Sequence, residues 1–144
     1  MKARTQRLSP VVHSEYVSGD VADRDKSSTT ITEDDFLGDR FSPQRFAVGI
    51  KVRGCVHVVA DKRDNKRPVW FYGLTDHSWA CVMFRDGDDA QVWQSGPRKL
   101  WDEAESAYRW WAGKGKPGYE RFGLTVTAEG QSAWVDDPAE SWQV

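Results

Sequence analysis

The stretch CVHVVADKRDNKRPVWFYGLTDHSWACVMFRDGDDAQVW, residues 55–93, decides the fold. Its opening, Cys55 to Ala60, is largely apolar and β-branched, which suits a pleated strand. The charged run Asp61 to Arg67, with Asn65 inside it, reads as a hairpin connection, and Val69 to Tyr72 resumes the sheet. Gly73 to His77 turns the chain again, into Trp79 to Phe84. Asp86, Gly87 and Asp88 mark the next hairpin, before Val92 and Trp93. Connections this short join antiparallel neighbours, because a parallel crossover needs about a dozen residues or more. The reading is an antiparallel meander of about four or five strands, and it excludes a Rossmann-like core over this region.

Working upstream, Phe46, Val48, Ile50 and Val52 alternate with Ala47, Gly49 and Lys51, a period of two that predicts a half-buried strand opening the same meander, which then runs from Phe46 to Trp93. Before it, Ser14 to Asp35 is polar and rich in Ser and Thr, with scattered Tyr16, Val17 and Ile31. Residues 1–35 are therefore expected to be a flexible leader or the remnant of a linker. Downstream the period changes: Leu100, Ala104, Ala107, Tyr108 and Trp111 share one face of a helix. Pro97 suits its first turn, Asp102, Glu103 and Glu105 lie where the helix dipole favours anions, and Gly113 suits its stop. A hairpin follows, with Phe122 to Thr127 outbound, Glu129 and Gly130 turning, and Ser132 to Val135 returning. The expected class is α+β, with an antiparallel β meander, one amphipathic helix and a C-terminal β hairpin. It forms a single domain over residues 36–136, with residues 137–144 as a tail.

The composition bounds the function. A chain of 144 residues, 39% hydrophobic and 29% charged, is the size of one ordinary core. Its formal net charge of -2 gives no global reason to expect nucleic acid or a membrane surface as partner. Two cysteines, Cys55 and Cys81, are too few for a secreted disulfide framework, and no apolar run follows the basic start Met1 to Pro10. Reduced thiols in the cytoplasm are the expectation.

The search for chemistry returns few motifs. No G-x-G-x-x-G, phosphate-binding loop or G-x-S-x-G is present. Lys114 and Lys116 lie among glycines, but their loop follows a helix instead of opening one, so it reads as a solvated turn. Cys55, His57, His77 and Cys81 form the one set with metal-ligand chemistry, since Cys-x-His on a strand points both side chains to one face and the second pair follows across a hairpin. A zinc site or a thiol nucleophile is the reading it offers. Against that stand an unusual spacing and the habit of buried cysteine to act as a small hydrophobe.

Eight tryptophans complete the inventory. Trp70, Trp79, Trp93 and Trp134 fall in strand patterns and read as packing residues. Trp110 and Trp111 point about 100 degrees apart on a helix, so one aromatic is expected to reach the surface. Arg98 and Lys99 stand at the positive end of the same helix, where an anionic partner, internal or external, would favour them.

One longer resemblance emerges from these residues. The segment Gly96-Pro97-Arg98-Lys99-Leu100-Trp101-Asp102-Glu103, then Ala107-Tyr108-Arg109-Trp110-Trp111, then Arg121 to Thr127 with Gly130-Gln131 and Trp134, resembles the C-terminal extension of actinobacterial protein-L-isoaspartate O-methyltransferase-like proteins. Enzymes of that family bind S-adenosylmethionine in a Rossmann-like domain that has no counterpart in these residues. The resemblance therefore implies a non-catalytic accessory module without a cofactor of its own. Such a module would position a peptide substrate or dock a methyltransferase domain, with Arg98, Lys99, Trp101 and Trp110 as contacts. A zinc or thiol protein built on the Cys and His set, and an orphan module binding a peptide or small molecule, are the competing readings.

Overall fold

Strand alternation sorts the side chains of residues 55–95 onto two faces of one sheet. The computed structural model describes residues 24–39 and 42–144, which divide into two compact units where one domain was expected. The first unit combines residues 24–33 with Gly54–Asp102, and the second combines Asp34–Arg53 with Glu103–Val144.

In the first unit, β1 (Arg24–Thr29), β2 (Cys55–Val59), β3 (Lys66–Gly73), β4 (Trp79–Arg85) and β5 (Asp88–Ser95) form an antiparallel sheet in the order β1, β5, β4, β3, β2. The meander from β2 to β5 is the one its sequence predicts. The register pairs Phe71 with His57 and Ala80, and Val82 with Val69 and Val92. These residues share a face whose core members, Val69, Phe71, Ala80, Val82 and Val92, are buried. Trp101 packs there on Phe71, with ring centroids 5.8 Å apart. The opposite face carries Trp70, Tyr72, Trp79, Cys81 and Trp93. Trp70 and Trp79 lie 6.2 Å apart and Trp70 and Tyr72 6.5 Å apart, near-parallel at 10°.

β1 lies within the expected leader. Its residues, RDKSST, carry no apolar side chain. It joins through its register with β5, from Arg24 opposite Ser95 to Thr29 opposite Ala90. Strand pairing at a sheet edge can rest on the backbone alone, and composition does not report that. Positions 1–23 of the expected leader lie outside the described residues.

The second unit holds α1 (Glu33–Leu37), which begins at the boundary of the first, and α2 (Pro43–Lys51). It also takes most of α3 (Leu100–Gly113), a 3-10 turn at Tyr119–Arg121, and a sheet of β6 (Phe122–Thr127), β7 (Gly130–Val135) and β8 (Ser141–Gln143). The expected strand at Phe46 to Val52 is therefore a correction: most of it is α2. Gln44, Ala47 and Val48 are the buried residues, a spacing of three and four. Pro43 sits at the helix start, and Ser42 before it is extended. The alternation from Phe46 fits a strand only if Gln44 and Pro43 are left out of the window.

α3 buries its predicted stripe, Leu100, Ala104, Ala107, Tyr108 and Trp111, and Trp101 in addition. Its start is capped by a side chain from β5. The carboxamide oxygen of buried Gln94 accepts the backbone N–H of Trp101 at 2.8 Å and of Asp102 at 3.4 Å, while its Nε2 donates to Asp102 Oδ1 at 2.9 Å. The expected tail also changes status, because β8 pairs with β7 from Ser132 opposite Gln143 to Trp134 opposite Ser141. On the β6–β7 hairpin the Trp134 indole lies across Gly123, where a Cβ would strike the ring, and its Nε1 donates to Thr125 Oγ1 at 3.1 Å.

Candidate functional site

A concavity in the first unit forms where β2 leaves its side chains unmatched. Val56 and Val58 stand opposite Tyr72 and Trp70 on the aromatic face of the sheet, yet remain 46% and 44% exposed. The turn after β3 adds Leu74, which is 65% exposed although apolar. Together with Tyr72, His77 and Trp79 these residues line a cleft of about 440 Å³. That size and an apolar lining with few polar groups suit a small ligand or one or two side chains of a peptide.

The turn that shapes the cleft is held by its own backbone. Gly73 N–H donates to Ser78 O at 2.8 Å, Leu74 N–H to Gly54 O at 2.9 Å, and Ser78 N–H to Asp76 Oδ1 at 3.0 Å. His77 sits in the left-handed region, at φ 62°, a conformation that costs a non-glycine residue unless the surroundings enforce it. The hydrogen bond from Ser78 N–H, with the Arg98 charge contributing, holds the Asp76 carboxyl below its ordinary range. Ser78 Oγ is occupied as well, accepting Arg98 N–H at 2.9 Å. Burial pushes the Tyr72 phenol well up. The site is thus a preformed apolar hollow with a fixed rim.

The Cys and His set does not assemble. Cys55 and His57 share the face of Phe71, and the His57 and Phe71 rings are 5.4 Å apart. Cys81 pairs with Trp70 and so points to the other face. No group of three or more metal-binding side chains occurs among the described residues. Burial also pushes the Cys81 thiol up to about 12, which leaves almost no thiolate at neutral pH. Strand geometry thus divides the four-residue set between the two faces of the sheet: a spacing of two fixes a common face only within one strand, and Cys81 lies two strands away.

The contact residues named from sequence separate. Trp101 is 2% exposed and packs in the core of the first unit, so it makes no external contact. Lys99 finds its anion internally, with Nζ 2.5 Å from Asp25 Oδ2 on β1. Arg98 stays close to the cleft through its backbone bond to Ser78. Trp110 belongs to the second unit. There it meets Trp142 edge-to-face at 5.1 Å, and Lys51 Nζ lies 4.3 Å and 4.2 Å from the two ring centroids. Trp142 Nε1 donates to Ile50 O at 3.2 Å.

Val56, Val58 and Leu74, which the sequence reading passed over, carried a signal of their own. Leu74 is an apolar residue inside a turn, between Gly73 and Asp76, where a solvated connection would be polar. No helix among the described residues is long and apolar enough to cross a membrane. No protein-family model matches this chain, and no curated protein and no solved structure matches it.

Proposed function

We propose that this protein is a binding module with no reaction of its own, which seats an apolar side chain of a peptide in the cleft formed by Val56, Val58, Leu74 and Trp79. The observation that carries the reading is the exposure of three aliphatic side chains around one aromatic-floored hollow. Scattered exposed apolar residues need no explanation, but a concave group of them does. The polar groups of the adjoining turn are spent on holding its shape. The resemblance of residues 96–134 to a methyltransferase extension supplies the partner class: an accessory module presenting a peptide to a separate S-adenosylmethionine-dependent enzyme. A cytoplasmic setting, with Cys55 and Cys81 as thiols, belongs to the same reading.

The test is an amide chemical-shift titration of the whole chain with short blocked peptides carrying a single Leu or Phe. Saturable shifts confined to residues 56–58 and 72–79, lost in Leu74→Asp, are the expected result. The absence of saturable shifts at Val56, Val58 and Leu74 would overturn the cleft as a site. Adding the chain to a peptide methylation assay then tests the partner class separately, since a peptide bound without any change in methylation keeps the cleft and removes the methyltransferase.

A further inference from the structure

The second unit presents a strand edge of a different kind. β6 is the outer strand of its three-stranded sheet, with β7 on one side only. Asp136 N–H donates to Arg121 O at 2.9 Å, which fixes the phase of the ladder. Gly123, Thr125 and Thr127 then exchange hydrogen bonds with β7, while the N–H and C=O groups of Leu124 and Val126 point outward; the Phe122 N–H is taken by Tyr119 O. The side chains of Phe122, Leu124 and Val126 share one face, on which Leu124 is 55% and Val126 66% exposed. Phe46 and Tyr119 extend that apolar surface: Phe46 lies 5.3 Å from both Tyr119 and Phe122, and both Phe46 and Tyr119 are exposed.

Proteins ordinarily guard such an edge with a lysine, a proline, a bulge or a very short strand. Although β2, outermost in the five-stranded sheet, has neither charge nor proline in Cys55–Val59, β1 with exposed Asp25 and Lys26 and β8 with only three residues follow that rule. β6 does not. Residues 122–128 contain no charge and no proline, and the pairing of β6 with β7 runs without a register shift.

We propose that β6 is the interface of a two-fold dimer, pairing antiparallel with β6 of a second copy about Thr125. The charge pattern selects both the partner and the register. With Thr125 on the axis, Leu124 of one copy faces Val126 of the other, and these two pairs exchange four backbone hydrogen bonds. Just beyond the strand ends, the same register brings Arg121, whose guanidinium is forked onto Asp136, toward the hairpin turn that carries Glu129 of the other copy, so the charges nearest the pairing are of opposite sign at both ends. An uncharged stretch bounded by Arg at one end and Glu at the other is self-complementary under antiparallel two-fold symmetry, and this makes an identical chain the fitting occupant. The result is a six-stranded sheet with a continuous stripe of Leu124, Val126 and Phe122 from both copies.

Sedimentation velocity of the full chain over a wide concentration range tests this, together with two variants. The wild type is expected to approach twice the 16.4 kDa chain mass, and Leu124→Lys to lose the dimer, because it sets a charge into each copy of the stripe. Circular dichroism confirms that the variant is folded. Thr125→Cys reads the register: the two sulfurs meet across a non-hydrogen-bonded pair with Cα atoms about 4.5 Å apart, so oxidation yields a covalent dimer that the wild type, with Cys55 and Cys81 alone, does not form. A wild type that is monomeric at every concentration, or of any stoichiometry other than two, overturns the proposal. So does a dimer that survives Leu124→Lys, or a Thr125→Cys variant that fails to cross-link.

Discussion

Replacing Trp142 by Ala tests how far the end of the chain holds the second unit together. Three contacts leave with the indole: the edge-to-face packing on Trp110 at 5.1 Å, the Lys51 ammonium 4.2 Å from its centroid, and the Nε1 hydrogen bond to Ile50 O. An aromatic pair contributes about 0.5–1.5 kcal/mol, an ammonium over a ring about 0.5–1 kcal/mol at a partly exposed site, and a hydrogen bond about 0.5–1.5 kcal/mol. Lys51 keeps Trp110 as a partner, so the low end of the second figure applies. The expected cost is about 2–3 kcal/mol, a large share of the stability of a small folding unit. Urea unfolding followed by circular dichroism and by amide exchange in α2 and β7 measures it. Trp142→Phe keeps an aromatic ring but removes the donor together with the pyrrole half of the indole, so it is expected to lose about 1–2 kcal/mol, less than Trp142→Ala. Loss of less than about 0.5 kcal/mol in Trp142→Ala would refute the reasoning, because that is the scale of an indifferent surface change. The lysine gives a second reading of the same contact. Burial first, then the Lys114 charge, holds the Lys51 ammonium below its ordinary value of 10.5. Since the largest cause is burial, Trp142→Ala should let this value rise toward 10.5, as a carbon-detected titration of the lysine side chain would show. A fall instead would mean that attraction to the ring outweighs desolvation.

Two further outcomes follow from the same geometry. Gln94→Ala removes the cap of α3 and leaves the buried Trp101 N–H without its acceptor, so a loss of about 2–3 kcal/mol is expected in chemical unfolding, and Gln94→Glu should recover part of it by keeping an oxygen at that point. The Arg121 hydrogen bond lowers the Asp136 carboxyl from its ordinary 3.8. A carboxylate depressed in the fold stabilises above its unfolded value and loses that contribution as pH falls through the folded one. Asp136→Asn should therefore lower the melting temperature slightly at neutral pH and flatten its dependence on pH below about 4, and an unaltered acid limb would remove the pair from any account of acid stability.

The sequence predicted the elements whose signals are both local and redundant. β2 to β5 carry apolar runs and turn residues that agree, and α3 carries a stripe of five buried positions. Where one signal stood alone, it failed. β1 has no apolar residue to announce it, because its place is held by backbone pairing with β5. α2 fits a strand from Phe46 onward and a helix from Gln44 onward, and only the burial of Gln44 with Ala47 and Val48 separates the two. The cleft was illegible for a related reason. Val56 and Val58 look like core residues in a strand, and their exposure depends on β2 being outermost in the sheet, which is a property of topology and not of spacing.

Burial also decides which aromatic residues of this chain can meet a partner. Trp101 is enclosed against Phe71, Trp111 gives its N–H to Pro117 O, Trp134 covers Gly123, and Trp110 is sandwiched with Lys51 and Trp142. Each of these indoles has its face or its donor committed inside the chain, so exchanging it for an external contact would cost a contact already made. The aliphatic residues of the cleft and of β6 are in the opposite condition: Leu74, Leu124 and Val126 are more than half exposed, and covering them releases water at no cost in internal packing. At about 25 cal/mol per Å² of apolar surface, that difference favours binding through these aliphatic residues over the tryptophans of α3. The proposed recognition surfaces thus lie not on the helix, where residue type suggested them, but at the ends and edges of the two sheets, where exposed apolar area remains.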